Sequence, residues 1–186
     1  MTTTIGLDLS LVGTGVVVLK DIDIIEKRLI RSKPVGDKPI NELRRIQKIV
    51  TEIEEIIKKH EPQVAVIENL AFAVRSTTSL VQLAGLSFLV RAMLDHYQIP
   101  FYLCAPTTLK RFATGKGNSE KDHILLEVYK KYGVDGIDNN IADAVFLAKI
   151  GSAIIGYEKV TVSYQVAPTL LLKTQHLDYD ASPTLQ

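Results

Sequence analysis

Three acidic residues stand where their neighbours make a charge costly. Asp8 interrupts the apolar run Ile5 to Leu9, Glu68 closes the run Val64-Ala65-Val66-Ile67, and Asp143 lies near the start of an otherwise apolar helical stretch. A lone carboxylate in such a place is most simply a helix cap, a turn residue or half of an ion pair, because burial without a partner is expensive. Three of them gathered at one point do different work. Like charges at close range raise one another's pKa unless a cation neutralises them. Asp and Glu oxygens are hard ligands suited to Mg²⁺ or Mn²⁺. Two such ions can activate water and stabilise the leaving oxygen in phosphodiester hydrolysis.

Whether the three meet depends on the elements that carry them. Ile5–Leu9 and Val16–Leu19, joined through Gly13-Thr14-Gly15, read as a hairpin, with a third strand over Ile24 to Ile30. Pro34, Gly36 and Pro39 break the chain before a helix over Ile40 to His60, with apolar residues at Leu43, Ile46, Ile49, Val50, Ile53, Ile56 and Ile57. Val64–Ile67 is a buried-strand run, Ser76 to Tyr97 returns to helical spacing, and Phe101–Leu103 is another strand. A short helix around Thr108 to Ala113 follows. Ser119 is the expected N-cap of a helix to Tyr132, and Asp138 to Ile155 is the last helix. Hairpins first and βα alternation afterwards imply an α/β fold with a mixed sheet between helices. The strand of Asp8 should then lie beside that of Glu68, where antiparallel pairing gives way to parallel. Ligands collect outside strand ends at such a point.

The chain of 186 residues suits one domain. We assign residues 1–157 to it and leave 158–186 as an extension without a role. A net charge of +1 does not advertise nucleic acid, so such a partner needs a local basic surface. The single cysteine, Cys104, excludes an internal disulfide and reads as a buried thiol. Neither a signal peptide nor a membrane span is evident, and the protein is expected to be intracellular with no membrane partner.

Four segments carry a resemblance. Ile5-Gly-Leu-Asp8-Leu-Ser-Leu-Val-Gly13-Thr-Gly15 resembles the first strand and turn of RuvC-type Holliday junction resolvases, of the ribonuclease-H-like superfamily. Val66-Ile67-Glu68-Asn69-Leu70-Ala71-Phe72 resembles their second acidic motif. Leu109-Lys110 with Thr114-Gly-Lys-Gly-Asn-Ser-Glu-Lys121 resembles their basic loop and the next helix, and Asn140-Ile-Ala-Asp143-Ala144 their last acidic motif. No single motif is specific, but four in family order over about residues 4–155 are. Their wording stands nearer to phage or prophage-borne relatives than to the housekeeping bacterial enzymes.

The resemblance implies a ribonuclease-H-like five-stranded mixed sheet, a homodimer, and resolution of four-way (Holliday) junctions in branched DNA. Cleavage would be Mg²⁺-dependent, with two ions and Mn²⁺ able to substitute, and would leave 5′-phosphate and 3′-hydroxyl ends at paired nicks. Asp8, Glu68 and Asp143 would hold the metals. The family usually has a fourth acid three residues before the helix Asp, and here that position is Asn140. Asp138 is the alternative fourth ligand, and is preferred here over Asn140.

Lys110, Arg111, Lys116 and Lys121 surround a loop that opens a helix, a favourable place for phosphates. Lys110 and Lys121 match the family's functional lysines, and Lys121 would also stabilise charge developing in the reaction. Phe72 matches an aromatic that stacks on bases, and Arg75 could meet a phosphate. Thr14 and its flanking glycines would let backbone approach a phosphate closely. Leu80, Leu83, Ala84, Leu86 and Leu94 form either core or a dimer face.

Three rivals compete. An actin-like ATPase or sugar kinase shares the Asp-Leu-Ser turn but needs two such domains, for which this chain is too short. A branched-DNA-binding protein that does not cut is favoured by Asn140 but leaves the three acids without purpose. A nuclease of the same fold acting on an RNA–DNA hybrid or a flap would show the same chemistry.

Overall fold

The computed structural model describes residues 1–36, 38–70 and 77–156. Three strands come first, β1 (Thr3–Asp8), β2 (Gly13–Lys20) and β3 (Asp23–Arg31). They are followed by α1 (Pro39–His60), β4 (Val64–Glu68), α2 (Thr77–His96) and β5 (Phe101–Cys104). Three helices close the order, α3 (Pro106–Thr114), α4 (Lys121–Tyr132) and α5 (Asn139–Ile154). The extension from 158 onward lies outside the described residues, as do Phe72 and Arg75.

The sheet order is β3-β2-β1-β4-β5. β1 pairs antiparallel with β2 and parallel with β4, so the change from hairpin to crossover pairing falls at β1, as the sequence pattern requires. Because β-strand side chains alternate between faces, each strand feeds two cores. Ile5, Leu7, Val16, Val18, Ala65 and Ile67 pack under α1 and α2. Val17, Leu19 and Val66 pack under α3, α4 and α5.

α1 is built as the spacing predicts. Ile46, Ile49, Ile53, Ile56 and Ile57 form its buried stripe, each contributing about 1.5–3 kcal/mol by leaving water. Pro39 sits in its first turn, where a missing N–H is harmless. Glu61, in the left-handed region at φ 46, ends it by donating its N–H to Ile57 O.

α5 is apolar on nearly every side, because it lies between the sheet and α3/α4. It approaches the sheet at two glycines. A Cβ on Gly6 would overlap Ala144 O and Ala148 N, and one on Gly15 would overlap Asn140 O. Gly15 was expected to make room for a phosphate. What it admits is the first turn of α5.

α2 is also apolar around much of its surface, and is long and apolar enough by itself to cross a bilayer. Here Leu86, Val90, Met93 and Leu94 of one stripe are core. Leu83 packs partly against them, while Val81, Phe88 and Leu89 stand exposed.

One expected cap is corrected. Glu120, not Ser119, is the N-cap of α4. Ser119 is buried, its hydroxyl bonded to Thr114 Oγ1 at 2.6 Å and donating to Lys116 O at 3.0 Å. The Thr114–Ser119 turn uses the side chain that would have capped the helix.

Candidate active site

The parallel register runs from Thr4 opposite Val64 to Leu7 opposite Ile67. One step further brings the ends of both strands, Asp8 and Glu68, side by side at neighbouring-strand spacing of roughly 4.8 Å. Alternation turns both toward the α5 face, the side that Gly6 and Val66 also face. The close glycine contact holds α5 against that face and delivers Asp143. Asp8, Glu68, Asn140 and Asp143 then line one cleft of about 320 Å³, together with Lys110, Lys121, Asn69 and Leu70. A larger cavity of about 410 Å³ lies at the other end of the sheet, lined by Ile57, Lys58, Tyr97 and Ile99 among others. It has no gathering of carboxylates, so size does not identify the site here and chemistry does.

The cleft is short of positive charge. Asp8 is pushed well above the carboxylate range, first by burial, then by Glu68 and more weakly by Asp143, with Lys121 opposing. Glu68 is raised by burial, opposed by its hydrogen bond with Asp8 and by Lys121 and Lys110. Asp143 is raised to about 7 by burial and by Glu68, against Lys121 and Lys110. Asp8 and Glu68 are hydrogen-bonded to each other, and burial makes the pair hold a proton more tightly than free carboxyls do. The same field and burial push the Cys104 thiol up to about 12, which keeps it inert.

Asp138 and Asn140 are separated by their bonding. Asp138 is the N-cap of α5, and its Oδ1 accepts the Asn140 N–H at 2.9 Å. This is a structural duty, and of the two it is Asn140, not Asp138, that lines the cleft. The Asn140 Nδ2 donates to Gly13 O at 2.6 Å. A carboxylate could not make that bond, since it has no hydrogen to give. The amide's other end, Oδ1, remains as an acceptor.

Of the basic residues, Lys110 and Lys121 line the cleft, whereas Arg111 and Lys116 are exposed outside it. Lys121 opens α4 and Lys110 lies in α3.

Two positioning features escaped the sequence reading. The turn from Asp8 to Gly13 is tied from the opposite face by Arg45 of α1. Its Nη2 donates to Leu11 O at 2.5 Å and its Nε to Ser32 Oγ at 2.9 Å. Within the turn, Thr14 Oγ1 donates to Ser10 O at 2.7 Å and accepts from the Ser10 N–H at 3.1 Å. Arg45 resembles any other exposed helix arginine in sequence and gave no signal. Gly6 did give one, since glycine inside a strand marks a close backbone approach.

Residues 4–151 match the model of the family described as crossover junction endodeoxyribonuclease RuvC. The chain belongs to this family. Against the RuvC of Prochlorococcus marinus strain MIT 9303 it is 28% identical over 154 residues, covering 79% of this chain and 96% of the relative. Against that of Brachyspira hyodysenteriae it is 32% identical over 105 residues, covering 56% of this chain and 65% of the relative. Among solved structures, Thermus thermophilus RuvC in complex with a Holliday junction substrate superposes with a TM-score of 0.68. It is 18% identical, and the match covers 80% of this chain and 91% of that one. The yeast mitochondrial Holliday junction resolvase Ydc2 gives 0.57 at 12% identity, over 92% of this chain and 80% of its own. The expected ribonuclease-H-like sheet is therefore the fold observed.

Proposed function

We propose that this RuvC-family chain resolves four-way DNA junctions by metal-dependent hydrolysis in the Asp8–Glu68–Asp143 cleft. One observation carries the reading: three carboxylates share one cleft with only two lysines, and burial with mutual repulsion holds their pKa values up. A protein that only bound DNA would gain nothing from that arrangement, and a cation relieves it.

The donor set fits Mg²⁺ or Mn²⁺ in kind, being all oxygen: three carboxylates and the Asn140 amide. Among the described residues no three of Asp, Glu, His or Cys enclose an ion as they stand. Asp8, Glu68 and Asp143 would therefore hold ions with substrate oxygens completing the shell, as Mg²⁺ commonly requires. Bound ions would supply Lewis-acid stabilisation of the cleaved phosphate and lower the pKa of water.

The remaining work falls to this chain's own side chains. Asp8 and Glu68 must lose the proton they hold before they bind a cation. Lys121 and Lys110 draw the scissile phosphate toward the carboxylates and offset charge on its oxygens as the bond breaks. Arg45 and Asn140 keep the Asp8 turn in place from its two sides.

Two copies are needed to nick opposite strands. The exposed apolar side of α2, with Val81, Phe88 and Leu89, supplies a face for the second copy. Of the five residues considered for this role, Leu86 and Leu94 are core instead. Phe88→Glu should shift the dimer to monomer by light scattering, and an unchanged mass would exclude this face.

The decisive assay is nicking of a labelled four-way junction with Mg²⁺ by wild type and Asp8→Asn, beside linear duplex and RNA–DNA hybrid. Paired symmetric nicks from wild type alone support the reading. Tight junction binding without cleavage in Mg²⁺ or Mn²⁺ would replace it with a non-cutting junction binder.

A further inference from the structure

The small net charge conceals an asymmetry. Among the described residues, the basic side chains with a carboxylate within 4.0 Å are Arg28, Lys48, Lys58, Lys59, His60, Lys130 and Lys131. Most of these sit at the C-terminal ends of α1 and α4. α1 starts at the catalytic edge of the sheet and runs about 33 Å away from it, and α4 runs about 18 Å. At the catalytic edge the pattern reverses. Lys110, Arg111, Lys116 and Lys121 have no carboxylate within 4.0 Å among the described residues, although Lys110 and Lys121 act on the cleft carboxylates from further off, and neither do Arg31, Lys33, Lys38 and Arg44 (nor Arg45, which bonds carbonyls, nor, elsewhere, Lys20, Lys27 and Arg91).

The second of these groups has no role so far. Arg31 ends β3 opposite Gly13, where β2 leaves the catalytic turn. Lys33 and Lys38 belong to the loop after it, and Arg44 to the second turn of α1. All four are exposed. Their acidic neighbours in the chain are Glu42 and, by sequence, Asp37. β3 lies two strands from β1 on one side and β5 two strands on the other. The group at the end of β3 is thus displaced roughly 10 Å along the sheet from the strand of Asp8, whereas Lys110 and Lys121 line the cleft itself. The displacement is about three base-pair steps of duplex.

Residues 32 and 35 of this loop are tied to their surroundings by hydrogen bonds. Ser32 Oγ donates to Leu11 O at 2.5 Å, Asn41 Nδ2 to Val35 O at 2.5 Å, and Arg45 bonds both Ser32 and Leu11. These bonds join the catalytic turn to this rim. Arg45 is spent on that joint, which leaves the four outer cations for a polyanion.

We propose that Arg31, Lys33, Lys38 and Arg44 form a second phosphate-binding rail, taking the duplex on the β3 side of the cleft, beyond the scissile phosphate that Lys110 and Lys121 meet. It rests on the reading of the cleft as a junction nuclease site. The rail reads no sequence, since its contacts are to backbone phosphates. It fixes how far the DNA continues past the cut before it leaves the protein.

The test is the salt dependence of junction binding by the full chain. Each lost phosphate contact lowers the slope of log K against log salt by about 0.9. The triple variant Lys33→Ala, Lys38→Ala, Arg44→Ala should lose about 2–3 from that slope. The double variant Lys58→Ala, Lys130→Ala, which removes paired cations at the far end, should keep the wild-type slope. Wild type on a junction whose arm beyond the cut is trimmed to a stub should behave like the triple variant. A wild-type slope for the triple variant, with wild type binding and nicking normally, overturns the rail alone. A wild type that neither binds nor nicks the junction overturns the nuclease reading and the rail with it.

Discussion

Glu26 and the carboxylate cleft are opposite solutions to the same problem. Glu26, on β3, is one largely buried carboxylate between two cations, Lys59 at 2.6 Å and Arg28 at 2.7 Å, with the His60 ring also at 2.6 Å. Its pKa falls to about 2, mainly through the hydrogen bonds from Lys59 and His60. The cleft holds three carboxylates against two lysines, and there the pKa values rise. The first arrangement is complete within the chain and fastens the C-terminal end of α1 to the sheet. The second is incomplete within the chain, which is how a site for an external cation differs from a structural ion cluster.

Substitutions should separate the two regions by sign. Asp8→Asn is expected to cut the rate by more than about 100-fold, beyond the loss typical of supporting residues around a metal. The same change should raise the melting temperature of metal-free protein at pH 8. A raised folded-state pKa contributes stability that is present at low pH and lost as pH rises through it. At pH 8 the wild-type cleft is therefore under strain that Asn relieves. A lower melting temperature for the variant in EDTA would contradict this. Metal affinity, read by calorimetry, should rise with pH between about 6 and 8, since cations compete with protons for these oxygens. A flat profile would place the ions elsewhere.

Gly6→Ala tests the helix contact. Its Cβ would meet backbone atoms of α5 that cannot yield. About 1–3 kcal/mol of stability should be lost, with cleavage falling further than stability because Asp143 moves. Denaturant titration and single-turnover rates measured together would show it.

Glu26→Gln should lose roughly 2 kcal/mol at pH 7, the value of charge-assisted bonds in a shielded place. Here the pKa is depressed, so the contribution is present above the ordinary Glu value and disappears as pH falls from about 4.5 toward 2. Variant and wild type should converge in acid, and cleavage by folded protein should not change. The smallest effect belongs to the exposed Lys48–Glu52 pair, where Lys48→Ala should change stability by about 0.5 kcal/mol or less. A larger value would mean that surface pairing matters more in this chain than the Glu26 contrast implies.

Much of this was legible because carboxylates in apolar runs are costly, and the strand pattern dictated where they meet. Asp8, Glu68 and Asp143 were found that way, and β1 is the switch strand by the logic of hairpins before crossovers. What the sequence did not show has one cause. Asp138 and Asn140 are told apart by their partners: Asp138 accepts the Asn140 N–H as the cap of α5, and Asn140 donates to Gly13 O, 127 residues away in the chain. Arg45 binds carbonyls of a turn that no local pattern associates with α1. Ser119 has the chemistry of a cap but gives its hydroxyl to a neighbouring turn. Periodicity reports burial and local conformation, and these side chains are assigned by distant backbone atoms.

The contact of α5 with Gly6 and Gly15 bears on which partner does the bending. The sheet and α5 already touch at backbone level there and cannot close further on each other. Between these two walls, fit comes from deformation of the nucleic acid. Bending a smooth duplex of 20–30 base pairs by 40–90° costs of order 1–6 kcal/mol. A branch point, where stacking is already interrupted, offers its strands at less expense. A stiff enzyme of this kind can prefer branched DNA through the pliancy of the substrate, without reading a single base.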